Sequence, residues 1–522
     1  MTLPAGSHCR PSLRPLTCAV LLALPLLSPQ AVMARDLVGG HEEITADDPA
    51  ERWNLSAGAY LRVSSGGHTQ AIDAQASRVV LHNASVARVA SNHAYSITLR
   101  HSASLEATGA QIFNGGIQLY DDSVVSLNDS YITIGNNFPD FAVIPTVGIF
   151  TTMAAGAGVK LSGSTIRVVD NPHLDAFNSG IGIRHSQGNV TLRDTSIIDA
   201  DNIGVLLSAG GSSSTPVFLH VHDSHVISRR GPALWVAPRQ DINARYIIRI
   251  SEGASLSGQD RELLRLGALD GTPTTGQTAV NFFMDNVVLD GDLVFDRNTA
   301  NGELDVSLER HALLRGRMLD VSSTTLTTDS IWLMTGNSST DLLNLDTSGT
   351  VYLSRGESPF NTLTVGTFNG TGGTLVFNTA LGDDHSATDQ LVITGNAEGH
   401  ANVRVNNAGG QGAQTVNGIR LISVGGDSNA HFDLIGRAVG GLYEYALFKG
   451  DDGHWYLRSQ LPGEPDPCES NPSLCEITLP VQPIVTLPVE DEITIEPGTP
   501  GGDDEVTLPV LPDVIIDPPT RP

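Results

Sequence analysis

Positive charge is scarce in this sequence. Its 522 residues include 30 lysines and arginines against 57 aspartates and glutamates, which gives a formal net charge of −27. Lysine itself occurs only at Lys160 and Lys449. A surface that binds nucleic acid needs clustered basic side chains, so the composition excludes nucleic acid as an expected partner. The 54 glycines and the low share of charged residues, 17%, favour a turn-rich β protein.

Long hydrophobic runs are absent except near the N-terminus. There, Arg10 and Arg14 precede the apolar stretch LTCAVLLALPLL (16–27), and small residues surround Ala34. This order is typical of a secretory signal peptide, which we predict at residues 1–34, and the stretch is too short to span a bilayer. We therefore expect export through the inner membrane, with a retained anchor as the alternative.

Cysteine is also rare, and two of the four cysteines lie in the predicted signal peptide. The other two, Cys468 and Cys475, enclose CESNPSLC. In an oxidising compartment they are candidates for a small disulfide loop, which the export context favours. Metal ligation is the rival interpretation, but two thiols without a nearby histidine make a poor zinc site.

Strand-like alternation of apolar and polar residues runs from about residue 50 to 350. Only DRELLRL (260–266) suggests a helix, of one or two turns at most. The strand pattern repeats at roughly 30 residues, which is a solenoid period. The repeat aligns three apolar positions and three more that follow them by five residues: Leu161, Leu192 and Val221, then Ile166, Ile197 and Val226.

These observations predict an all-β fold, a right-handed parallel β-helix of about 12–15 coils at residues 35–354. A propeller is less favoured, because it needs hairpins and longer repeats. Residues 355–460 have denser strands and end in the aromatic segment LYEYALFKGDDGHWYLRS (442–459), as expected of a cap on the open end of a solenoid. Residues 461–522 contain 14 of the 28 prolines, which predicts an extended, disordered linker or tail.

Several segments resemble one family, the pertactin-like passenger regions of Gram-negative autotransporters. They are DSIWLMTGNSSTDLLNLDTSGTVYLS (329–354), FNTLTVGTFNGTGGTLVFNTALGDDHSATDQLVI (360–393), NNAGGQGAQTVNGIRLISV (406–424) and YEYALFKGDDGHWYLRS (443–459). The resemblance implies a β-helical passenger whose C-terminal autochaperone segment folds first during secretion. It also implies a translocating outer-membrane β-barrel after the linker. The last 60 or so residues lack the alternation of such a barrel, so we expect a passenger without its own translocator.

Three groups of residues suggest chemistry. HVHDSH (220–225) places His220 and His222 on one face of a strand with Asp223 between histidines, but it specifies no third metal ligand, so surface histidines are the favoured interpretation. GGDSN (425–429) is interpreted as a turn and not as a serine nucleophile. Five aspartates could serve a β-helix polysaccharide enzyme, but we expect them to be solvated turn residues: Asp121, Asp122, Asp194, Asp199 and Asp201.

The sequence therefore predicts an exported, non-enzymatic passenger of adhesin or virulence type, without cofactor or metal. We expect a monomer at the cell surface or secreted, with the periplasm as the fallback. Its expected partners are a host-cell or extracellular-matrix ligand or glycan, and an outer-membrane translocator supplied in trans. The alternatives are a β-helix enzyme acting on polysaccharide and a barrel-less autotransporter remnant.

Overall fold

A computed structural model of the chain describes residues 34–88, 94–136, 144–152, 157–175, 177–355 and 360–459. All but the last residue of the predicted signal peptide, and all of the predicted tail with Cys468 and Cys475, lie outside these ranges. Within them, no helix is long and apolar enough to cross a membrane.

Nearly all regular structure in the described residues is β-strand. The strands up to residue 257 are β1 (Arg35–Val38), β2 (His41–Ile44), β3 (Trp53–Ser56), β4 (Tyr60–Val63), β5 (His68–Thr69), β6 (Ile72–Gln75), β7 (Arg78–His82), β8 (Ser85–Ala87), β9 (Ile97–Arg100), β10 (Ser104–Thr108), β11 (Gln111–Phe113), β12 (Ile117–Leu119), β13 (Val124–Asn128), β14 (Tyr131–Ile134), β15 (Val147–Thr151), β16 (Gly158–Ser162), β17 (Thr165–Val168), β18 (Ile181–His185), β19 (Asn189–Arg193), β20 (Ser196–Ala200), β21 (Ile203–Leu207), β22 (Val217–His222), β23 (Ser224–Ser228), β24 (Leu234–Val236), β25 (Ala244–Ser251) and β26 (Ser255–Ser257).

The remaining strands are longer on average. They are β27 (Glu262–Leu266), β28 (Gln277–Asp285), β29 (Val288–Asp290), β30 (Asp292–Phe295), β31 (Asn301–Glu309), β32 (Leu313–Arg315), β33 (Met318–Leu319), β34 (Val321–Leu326), β35 (Ile331–Leu333), β36 (Ser338–Leu345), β37 (Thr350–Tyr352), β38 (Thr362–Thr379), β39 (Gln390–Ile393), β40 (Ala397–Asn407), β41 (Ile419–Val424), β42 (His431–Leu434), β43 (Ala438–Gly440), β44 (Tyr443–Lys449) and β45 (Trp455–Arg458).

The strands stack as the coils of a parallel β-helix, which confirms the predicted fold class. Sheet A is a twelve-stranded stack from β1 to β33, and sheet C is an eight-stranded stack from β5 to β26. Sheet B lies between them in chain order and contains β10, β13, β16, β19, β22 and β25 among others. Alternate residues of each strand point inward and stack into apolar ladders, because side chains along a strand have a period of two.

One inward ladder shows how the core is built. Val125, Val159, Val190 and Leu219 lie in register on four successive strands of sheet B, and each is at most 1% exposed. Burial of each such side chain contributes about 1.5–3 kcal/mol relative to exposure. The core is therefore continuous along the solenoid instead of being divided among separate coils.

The predicted register was right on sheet B and wrong by one residue on sheet C. Leu161, Leu192 and Val221 are in register, but Ile166 pairs with Ile198 and not with Ile197. The reason is the turn after Leu192, in which both Asp194 and Thr195 have positive φ, whereas the turn after Val221 has positive φ only at Asp223. The extra turn residue shifts every following side chain by one position, so Ile198 enters the core.

The short helix expected near Asp260 is largely a strand. Only Gln259–Arg261 forms a 3-10 turn, and Glu262–Leu266 continues as β27 of sheet A. Leu263, Leu264 and Leu266 are all buried there, so packing against the neighbouring coil overrides the local helical pattern.

The C-terminal end of the solenoid is closed by antiparallel strands. β45 pairs antiparallel with both β41 and β44, and β43 pairs antiparallel with β44. Trp455 on β45 lies edge-on to Phe432, with ring centroids 5.3 Å apart. This change in strand direction ends the parallel stack and covers its apolar interior, as predicted for a capping segment.

Candidate functional site

Five consecutive strands of sheet B contain no acidic residue. They are β13 (VVSLN), β16 (GVKLS), β19 (NVTLR), β22 (VFLHVH) and β25 (ARYIIRIS). At about 4.8 Å between strands, they extend about 19 Å along the solenoid. Their outward residues include six that are basic or can become so: Lys160, Arg193, His220, His222, Arg245 and Arg249. We call this surface the cationic face.

The cations of this face come together through the register of the coils. Lys160 pairs with Thr191, Thr191 with His220, and His220 with Arg249, so the four form one outward ladder. Lys160 and Arg193 are exposed. Neither forms an ion pair among residues that the structure describes. Their charges are therefore available to a ligand, in contrast to that of Arg249, whose guanidinium lies 2.8 Å from a carboxylate oxygen of Asp285.

The two histidines of the cationic face share one hydroxyl group. Ring nitrogens of His220 and His222 lie 2.9 and 3.2 Å from Oγ of Ser251. Burial lowers the pKa of His220, and the positive charges of His222, Arg193 and Arg249 lower it further. His220 is therefore less readily protonated than an exposed histidine.

The histidine cluster lacks the arrangement of a metal site. Asp223 lies in the turn after His222 with positive φ, where its carboxylate faces Gly253. Across the described part of the chain, no group of three histidine, cysteine or acidic side chains could hold a metal ion. His225 points outward from sheet C instead, and its Nδ1 lies 2.7 Å from Oγ of Ser255.

A shallow groove of about 320 Å³ lies over β13, β16 and β19 of the cationic face. Its polar lining includes Asn128, Lys160, Thr191, Arg193 and Asp194. Val124 at the start of β13 and Phe218 at the start of β22 expose 43% and 38% of their surface. The face thus offers charges, amide and hydroxyl groups and an exposed aromatic ring, without a deep pocket.

Acidic residues flank the face in the two adjacent strands, at Glu106 and Asp285, and in turns along its edge. Oδ2 of Asp194 accepts a hydrogen bond of 2.6 Å from Ser162 in the preceding coil. Asp121 has the same role in its own turn, because its carboxylate accepts the backbone N–H of His101 at 3.2 Å. Asp121 and Asp194 are therefore turn residues, as expected, and Asp122 follows in the same turn.

Asp199 and Asp201 were expected to be solvated turn residues. Asp201 does lie in a turn, directly after β20, but Asp199 lies on β20 itself, and neither is solvated, since their side chains are 18% and 14% exposed. Both lie close to Asp170, whose backbone N–H donates to Oδ2 of Asp201 at 3.0 Å. Their charges are balanced by arginines: Arg229 contacts Asp199 at 2.8 Å and Arg167 contacts Asp201 at 2.7 Å. The coil register brings these side chains together, which the spacing along the sequence did not reveal.

Asp170 completes this charge network. Arg230 contacts its carboxylate at 2.6 Å. Burial alone would raise the pKa of Asp170, but hydrogen bonds from Ser179 and Asn202 and the charge of Arg230 lower it. A carboxylate held ionised by such partners is poorly suited to donate a proton, so the cluster has the chemistry of a structural ion-pair network.

One family model, described as "Right handed beta helix region", matches residues 73–245, and another, "Autochaperone Domain Type 1", matches residues 338–447. The first contains nearly the whole cationic face, and the second contains most of the C-terminal segment. The chain therefore combines a right-handed β-helix region with an autochaperone domain, as in the autotransporter passengers that its sequence resembles. The resemblance seen in the sequence is confirmed, and so is the right-handed course of the solenoid.

The chain is similar to parts of several curated autotransporters. It is 45% identical over 112 residues to the autotransporter adhesin AIDA-I of Escherichia coli, covering 20% of this chain and 9% of that protein. It is 34% identical over 248 residues to the probable autotransporter YfaL of Escherichia coli K12, covering 43% of this chain and 18% of that protein. The chain thus spans less than a fifth of either relative.

Among solved structures, the passenger resembles the autotransporter UpaB from Escherichia coli strain CFT073. The TM-score is 0.38 at 17% identity, over 82% of this chain and 90% of that one.

The GGDSN segment of the passenger is a loop, as predicted. It connects β41 and β42, and the hydroxyl of Ser428 donates to the backbone carbonyl of Gly453 at 2.8 Å. A hydroxyl engaged in this way is not activated by a neighbouring base. The candidate disulfide between Cys468 and Cys475 lies outside the described residues and stays a prediction.

Sequence reasoning identified His220 and His222 but missed Lys160, Arg193 and Arg249 as their neighbours. One signal for them was present: five strand segments without a carboxylate, in a chain with 57 acidic residues. Their position on one face became visible only with the register of the coils.

We expect replacement of Asp285 by asparagine to destabilise the passenger at the edge of the cationic face. Asp285 is 5% exposed and accepts hydrogen bonds from Arg310 at 2.5 Å and from Arg249 at 2.8 Å. Asparagine keeps the size but loses the charge, at a cost of about 2 kcal/mol at pH 7. Urea unfolding followed by circular dichroism measures the difference.

The cost of Asp285→Asn depends on pH. The hydrogen bonds of Arg310, then its charge and that of Arg249, hold the pKa of Asp285 below its usual value despite burial. A depressed carboxyl pKa stabilises the protein above the pKa of the unfolded chain, about 4, and the contribution is lost as the pH falls through the folded pKa. The gap between variant and wild type should therefore shrink at pH 3. Asp290→Asn is the control, since Asp290 is 47% exposed; an equal gap at pH 3 and pH 7 contradicts the prediction.

Proposed function

We propose that the passenger is exported to the cell surface or secreted, and that it acts there as a non-enzymatic adhesin. The cationic face carries this proposal: it is an exposed, shallow surface on which Lys160 and Arg193 form no ion pair with any residue that the structure describes. The similarity to AIDA-I, named an autotransporter adhesin, supports it. The predicted signal peptide at residues 1–34 supports export.

The charge network around Asp170 favours binding over catalysis. Glycoside hydrolysis needs one carboxyl group that donates a proton and a second that acts as base or nucleophile. Asp170, Asp199 and Asp201 are each paired with an arginine, at 2.6, 2.8 and 2.7 Å. All three carboxylates are engaged in ion pairs, and the pKa of Asp170 is lowered by its hydrogen bonds and by Arg230, which favours a structural role over proton donation.

Three measurements test this function with the full chain. Protease accessibility on intact Gram-negative cells that produce it tests export, and we expect digestion from outside the cell. Beads coated with the purified chain should attach saturably to epithelial cells or matrix. A panel of acidic and neutral polysaccharides, analysed for chain shortening, should stay intact. Shortened products would instead support a polysaccharide enzyme.

A further inference from the structure

The cationic face differs in charge from the rest of the chain. Its five strands contain no carboxylate although the formal net charge is −27. At physiological ionic strength, charges are screened over about 8 Å, so a ligand at the centre of the face experiences mainly the local cations. An anionic partner repelled by most of the protein can therefore bind here.

We propose that the cationic face binds a linear acidic polysaccharide that lies along the solenoid axis. Such a chain would cross β16, β19, β22 and β25 in turn. Its acidic groups would meet Lys160 and Arg193, and towards β25 they would meet the histidines. This inference rests on the proposed binding function and names the class of its partner.

The neutral groups of the face favour a sugar chain over other polyanions. Thr191 and Asn128 line the groove and can exchange hydrogen bonds with sugar hydroxyls. Phe218 at the start of β22, two residues before His220, is 38% exposed, and an aromatic ring can pack on the apolar face of a sugar ring. Two permanently unpaired cations are few for a nucleic acid, whose binding depends on many phosphate contacts.

Acidic residues at the edges of the face limit how far its contact with the polysaccharide extends. On one side, Glu106 of β10 is paired with Arg78 at 2.8 Å. On the other side, Asp285 of β28 neutralises Arg249. Asp194 at the turn lines the groove beside Arg193. The contact with the polymer is therefore limited to the strands between β10 and β28.

Binding to immobilised heparin, polygalacturonate and neutral dextran tests the proposal. We expect the full wild-type chain to bind the two acidic polymers and not dextran. The double variant Lys160→Glu/Arg193→Glu should bind them about tenfold more weakly or worse, because it reverses both unpaired charges. The matched control Arg404→Glu/Arg420→Glu makes the same change in charge at exposed residues of β40 and β41, and it should retain wild-type affinity. Circular dichroism verifies that each variant is folded.

Each outcome decides the inference. The proposal is overturned if the wild-type chain binds dextran as tightly as the acidic polymers. It is also overturned if the face variant keeps its affinity for the acidic polymers, or if the face variant and the control lose affinity equally. Attachment to host cells without binding to either acidic polymer also overturns it but leaves the adhesin function intact. Shortening of the polymers would overturn the adhesin function itself.

Discussion

Replacing Trp455 with alanine is expected to lower the free energy of unfolding by about 3–5 kcal/mol, the usual cost of removing a large buried aromatic side chain. Trp455 is 4% exposed and packs edge-on against Phe432 and His431, at centroid distances of 5.3 and 5.8 Å. Its indole N–H has no hydrogen-bond partner in the described part of the chain, so the loss comes from packing alone.

The effect of Trp455→Ala should extend beyond one side chain. β45 covers the edge of β41, and the terminal coils of a solenoid stabilise their neighbours through each shared interface. We therefore expect the variant to lose the cap first and to aggregate at lower urea concentrations than wild type. Urea unfolding by tryptophan fluorescence and light scattering measures both effects.

Trp235→Ala is the matched control for Trp455→Ala. Trp235 lies on the outer side of sheet A, half-buried, and its Nε1 donates to the carbonyl of Gly267 at 2.8 Å. Its replacement should cost less and leave the solenoid end closed. Equal losses of stability in the two variants, without aggregation of Trp455→Ala, contradict the capping role.

Replacing Gly182 with valine is expected to prevent stable folding or to cost more than about 3 kcal/mol, at or beyond the usual penalty for overpacking. A Cβ atom at Gly182 would lie 2.2 Å from Cγ2 of Ile198 and 2.6 Å from the carbonyl oxygen of Gly204. Ile198 belongs to sheet C of the same coil, and Gly204 begins the next coil. The glycine therefore permits two sheets and two coils to meet at one corner.

Thermal unfolding of Gly182→Val and of Gly182→Ala tests this steric explanation. Alanine adds the clashing Cβ atom only, so it should be less harmful than valine but still destabilising. Gly135→Val is the control, since nothing lies within 4 Å of a Cβ atom there. A control as unstable as Gly182→Val would point to a loss of glycine flexibility in general and not to crowding at the corner.

Much of the architecture was predictable from local sequence patterns. Period-two alternation and a repeat near 30 residues indicated a parallel solenoid, and the aromatic segment ending at Arg458 and Ser459 indicated a cap. The register was less accessible, because the single extra turn residue Thr195 moves Ile198 into the place predicted for Ile197. A periodic pattern does not reveal how many residues a turn absorbs. The predicted boundaries at 35–354, 355–460 and 461–522 stay predictions.

By itself, the sequence determined the all-β class, the repeat of a parallel solenoid and the presence of an autochaperone-type segment at its C-terminal end. These properties follow from side-chain alternation and from motifs that are contiguous in the chain. The tertiary structure decided which residues form the candidate site and which side chains the aspartates contact. Lys160, His220 and Arg249 are far apart in sequence but share one outward ladder, while Asp199 and Asp201 meet arginines from other coils. Stacking of coils of unequal length sets these neighbours, so a net charge of −27 gave no indication of a face without carboxylates.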